Sequence, residues 1–155
     1  MKKILLVSII ITMSAFAAKA QYSNGIGLRG SLYTGITYKK AAGDNYMEYI
    51  FSTRWGGFNL TGLWEMQQSI PDVNGLYWYY GGGIHAGLWD RDRAVWFDEP
   101  GDDVLVAGVD GIIGIEYVFD EFPFSVSLDY KPAFNLIGYT GFLADNGAFS
   151  VRYTF

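Results

Sequence analysis

The sequence predicts an all-β chain. Residues 21–155 read as an eight-stranded antiparallel transmembrane up-and-down β-barrel, and residues 1–20 as a cleaved signal peptide ahead of it. Three observations point there. Apolar and polar residues alternate with period two through nearly every segment, the pattern of strands with two unlike faces. The large rings gather on one of those faces. Glycines and a matched set of charges gather on the other.

The leader comes first. In "MKKILLVSIIITMSAFAAKAQ", Lys2 and Lys3 form a basic start and Leu5 to Ala18 an apolar run. "AKA" then places small Ala18 and Ala20 before a cleavage point ahead of Gln21. The apolar run is shorter than the roughly 20 residues a spanning helix needs. The chain has no Cys, which removes a lipid-modified N-terminus, disulfides, thiol catalysis and Cys-ligated metals. Its net charge of −5 becomes more negative once the leader lysines are cut away. That balance argues against nucleic-acid binding. Rings are abundant, with 12 Tyr, 11 Phe and 5 Trp.

The strands follow from the breaks between alternating runs. "AAGDN", "WGG", "SIPDVNG", "DRDRAVWFDEPGDD", "FDEFP" and "GYTGFLADNG" are turn-forming clusters. They leave seven strands if "GIGLRGSLYTGITYKK" is one. A barrel with both ends on one side needs an even number, so that stretch is split into a hairpin turning near Gly30 to Thr34. The strands expected are about 24–31, 34–41, 46–54, 58–69, 76–89, 103–119, 122–132 and 147–155. The clearest alternation is in "FPFSVSLDYK", which sets Phe122, Phe124, Val126, Leu128 and Tyr130 against Ser125, Ser127, Asp129 and Lys131.

Alternation alone does not say which face looks inward. The apolar faces carry no charge except Lys40 and Asp103, both at strand ends, but they carry many rings. These are Tyr38, Tyr49, Phe51, Phe58, Trp64, Trp78, Tyr80, Tyr117, Phe124, Tyr130 and Tyr153. Eight strands enclose a space that side chains just fill, too small for so many rings, so this face turns outward to lipid. Small residues suit the crowded interior, and Gly25, Gly27, Gly35, Gly81, Gly83, Gly87, Gly108 and Gly114 all lie on the polar face. That face also sets Arg29, Lys39, Arg54, Lys131 and Arg152 against Glu48, Glu65, Asp110, Glu116 and Asp129. An equal count suits a network of buried pairs, since an unpaired buried ion costs several kcal/mol. On this reading Glu65→Leu would strand a buried cation. Ile50, Leu63 and Ile112 are apolar exceptions on the same face.

With the C-terminus periplasmic, residues 90–103 form the longest external loop, and the stretch from Lys131 to Gly147 the next. Asp90, Asp92, Asp98, Glu99, Asp102 and Asp103 could hold a divalent cation or simply be solvated; their spacing matches no ligand loop. Trp96 and Phe97 could contact an external partner at loop 90–103 or rest on the barrel rim. His85 is the only histidine and points into the upper interior, with Asp110 on the next strand and Ser52 within the same space. A hydrogen-bonded plug residue is the simpler reading of it. No catalytic, cofactor-binding or metal-binding residue is assigned, and no cofactor is expected.

The pattern resembles the small eight-stranded outer-membrane β-barrels, of the kind represented by OmpX and the OmpA membrane domain. The resemblance covers about Asn24 to Phe155 and is sharpest in the terminal "FSVRYTF". It implies residence in the cell outer membrane among its lipids, as a monomer. It also implies that the last strand, ending at Phe155, is read by the barrel-assembly machinery, whereas from the residues alone Phe155 is an interfacial ring. Some members of that family modify lipid A using Ser and His. The leading expectation is a plugged barrel acting as a structural or binding envelope protein through its external loops. A lipid-modifying enzyme built on His85, of deacylase or acyltransferase type, is the alternative, and a narrow pore comes third.

Overall fold

The computed structural model describes residues 22–54, 56–94, 101–144 and 146–155. The expected signal peptide, with Trp96, Phe97, Asp98 and Glu99 of the long loop, lies outside them. The strands are β1 (Asn24–Gly30), β2 (Thr34–Ala42), β3 (Asn45–Arg54), β4 (Gly57–Ser69), β5 (Leu76–Trp89), β6 (Val104–Val118), β7 (Phe124–Tyr130), β8 (Ala133–Ile137), β9 (Gly141–Leu143) and β10 (Gly147–Thr154). Each pairs antiparallel with its neighbour, and the β5–β6 pairing closes the sheet on itself. The first hairpin turns between Gly30 and Thr34, so the long first segment does split in two.

Ten strands make an eight-stranded wall because two wall strands are interrupted. The register of β6 against β7, ending at Ile113↔Tyr130, continues unshifted into β8 at Asp110↔Ala133. Pro132 lacks an N–H, yet its carbonyl still accepts from Gly111 N at 2.9 Å. Residues 131–147 are therefore not the plain loop the sequence suggests. The seventh wall strand runs on past Pro132, and β9 returns beside it through Phe134↔Phe142 before β10 rejoins the barrel. At the other end that strand starts at Phe124, leaving Phe122 in the turn.

Face assignment follows the alternation on every strand. The eleven rings assigned outward lie on the outer wall, many stacked in pairs: Tyr38 on Tyr49, Trp78 on Tyr80 and Tyr153 on Phe155. The inward glycines let adjacent strands approach. A Cβ on Gly27 would lie 1.9 Å from the Val151 carbonyl oxygen, and one on Gly83 the same distance from that of Gly62. Neither position can take a side chain without the strands parting.

The interior also holds rings that alternation alone did not highlight. Tyr22, Tyr46 and Tyr77 pack with Val118 at the end of the barrel where Asn24 meets Phe155, here called the lower end. Tyr33 meets Trp89 edge-on at 5.9 Å over Ala94 and Val106 at the upper end. Ile50, Leu63 and Ile112, the apolar exceptions, surround the fully buried Tyr79. They pack against that ring and fill the mid-interior with apolar volume.

Candidate functional site

The interior is the site where polar chemistry is concentrated. Its central cluster comes from strands on opposite sides of the barrel. Lys39 on β2 lies 2.9 Å from Glu65 on β4 and 3.1 Å from Glu116 on β6. Arg152 on β10 pairs with Glu48 on β3 and, at 3.3 Å, with Glu116. All five side chains have 0% exposure. Such burial is tolerated only with near-complete pairing. Glu116 accepts from Tyr22 and Ser125, each at 2.8 Å, and Glu48 from Thr37. Arg152 also donates to Ser127 at 2.8 Å, and Lys39 sits 4.2 Å from the centre of the Tyr79 ring.

Above the cluster, Arg29 grips Asp129 with both terminal nitrogens, at 2.5 and 2.8 Å. Two parallel charge-assisted bonds fix this pair in orientation as well as position. The Tyr79 hydroxyl donates to the same carboxylate at 3.1 Å, spanning the interior from β5 to β7. Nine of the ten expected charges are buried. The tenth, Arg54, is only half-buried and lies over the Tyr33 ring at 4.8 Å, near the upper rim. The even count expected from the sequence does not hold inside the sealed interior.

The upper layer gathers His85, Asp110, Lys131 and Asn135. His85 Nδ1 is 2.7 Å from Asp110 Oδ2, and Nε2 is 2.9 Å from Asn135 Oδ1. Lys131 pairs with the other oxygen of Asp110. These residues line a cavity of about 30 Å³ together with Ser52, Asn59 and Asn146. That volume suits one or two water molecules. Ser52 does face the space that holds His85, as expected, but both ring nitrogens are already engaged. Tyr33 and Trp89 roof the chamber.

Asn135 is the partner the sequence reading missed, because it fell in the supposed loop after Lys131. The signal was present: Asp129, Lys131, Ala133 and Asn135 keep the inward alternation across Pro132, and all four are buried. In the long upper loop, Asp90 pairs with Arg93 at 3.2 Å, and Asp92 accepts from Gly101 N at 3.3 Å. Among the described residues, no group of three or more His, Cys, Asp or Glu is placed to hold a metal ion. Comparison of the chain with protein-family models, with curated proteins and with solved structures found no match.

Proposed function

We propose that the chain is a small outer-membrane β-barrel with a plugged, charge-paired interior, acting as a structural or binding envelope protein through its external loops. The observation that carries this reading is the outer wall. Every wall strand presents a large exposed apolar side chain: Leu28, Ile36, Phe51, Leu60, Ile84, Ile113, Leu128 and Phe149 in turn. Lys40, near the lower end, is the one charged side chain on the strands' outward positions. Water-soluble monomers rarely expose more than a few hundred Å² of contiguous apolar surface, and this belt circles the whole barrel. The stacked Tyr and Trp pairs toward the lower rim suit an interfacial girdle.

On this reading the lower end is periplasmic and the upper loops are external. The plug reading is favoured over a lipid-modifying enzyme by the engagement of both His85 nitrogens and the smallness of the chamber, which has no room for an acyl chain. The test is conductance of the refolded protein in planar bilayers. A closed barrel, with ring clusters at both ends and ion pairs between them, is expected to pass no stable stepwise current. Porin-like steps would overturn the plug.

Phe155 serves in this proposal as the end of the strand read by the assembly machinery, which recognises it before β10 pairs with β1. Its N–H donates to Asn24 O at 2.8 Å, so it lies at the closing seam. Phe155→Asp is expected to lower the folded fraction in cells, seen as faster migration of unboiled samples. Unchanged assembly would reduce Phe155 to an interfacial ring.

A further inference from the structure

We propose that the central cluster is a proton-binding site, in which Glu48 and Glu65 share one proton in the folded barrel and Glu65 carries it. The first ground is charge. Three carboxyls, Glu48, Glu65 and Glu116, meet two cations, Lys39 and Arg152, with none of the five exposed. The next cation, Arg29 on β1, is committed to Asp129 on β7. The other titratable groups facing the cluster are the phenols Tyr22, Tyr46 on β3 and Tyr79 on β5. One carboxyl is in excess.

The second ground is contact. Glu48 on β3 and Glu65 on β4 are buried diagonal neighbours on adjacent strands, Glu48 standing opposite Leu63 and Glu65 opposite Tyr46, a spacing that long side chains bridge. Two ionised carboxylates offer only acceptors, and like charges so close cannot both stay ionised. Glu48 Oε2 and Glu65 Oε1 are also buried with no donor from any other described side chain. A proton between the two residues supplies the missing donor. Which residue keeps it follows from the partners. Glu48 has Arg152 and Thr37, and Glu116 has Lys39, Arg152, Tyr22 and Ser125. Glu65 has Lys39 alone as a charged partner.

Infrared spectroscopy of the refolded barrel at pH 7 tests this, because exposed carboxyls are ionised there and leave the protonated-carboxyl carbonyl region clear. The wild type is expected to show one such band, which disappears on unfolding in urea. Glu65→Gln, whose amide donates in place of the protonated carboxyl, is expected to fold and to lose the band. Asp110→Asn, outside the cluster, is expected to keep it. A folded wild type without the band, or a band that persists in folded Glu65→Gln, overturns the proposal.

Discussion

Arg152→Met is expected to destabilise the folded barrel by about 3–5 kcal/mol, the range for breaking a buried ion pair from one side. The guanidinium holds Glu48 and Glu116 at once and also donates to Ser127. Its removal leaves three buried carboxyls around the single ammonium of Lys39. Met fills much of the same volume, so lost charge rather than a cavity dominates the outcome. The check is the urea midpoint for loss of the fast-migrating folded form in phospholipid vesicles. Glu65→Leu is the informative comparison, because the structure reduces its expected cost. It leaves Lys39 with Glu116 at 3.1 Å and Arg152 with Glu48, so it strands no cation and its loss should be much smaller. Equal midpoints for the two variants would mean that Arg152 is not the hub of the network.

Leu128→Arg is expected to cost about 2–4 kcal/mol in a bilayer if this position lies near the midplane. Leu128 points outward, is 58% exposed, and sits between Phe149 on β10 and Ile115 on β6. Its neighbours on the proposed lipid face offer no carboxylate to pair with a guanidinium. The same change on a water-facing wall would stay within about 0.5 kcal/mol. Folding titrations in vesicles, with Lys40→Arg as a rim control, separate the two. A neutral result for Leu128→Arg would remove the membrane reading while leaving the barrel intact.

Much of the barrel was legible from residues taken two at a time. Ser125, Ser127 and Asp129 turn inward, and Phe124, Val126 and Leu128 outward, because successive side chains on a strand point to opposite faces. The split at Gly30 to Thr34 could be reached only through the parity of a closed barrel, since glycines recur through that segment at 25, 27, 30 and 35 and Gly30 does not stand out among them as a break. The continuation past Pro132 was concealed by the proline itself. A missing N–H ends one hydrogen bond but does not turn the chain, and the alternation resumes at Ala133.

The sequence by itself determined most of the strands, their faces, and nine of the charged residues that share the interior, because each rests on local periodicity. Only the closed tertiary structure decided who meets whom. Arg152 reaches Glu48 across 104 positions and Arg29 reaches Asp129 across 100. Those meetings depend on the tilt and stagger with which the strands close, which no single strand encodes. The same closure set Arg54 beside Tyr33 near the rim and brought Asn135 onto His85. It also left three carboxyls with two cations in the sealed centre, although the count along the chain was even. Alternation can assign a charge to a face, but only its depth along the barrel axis decides whether it is buried and which opposite charge it finds.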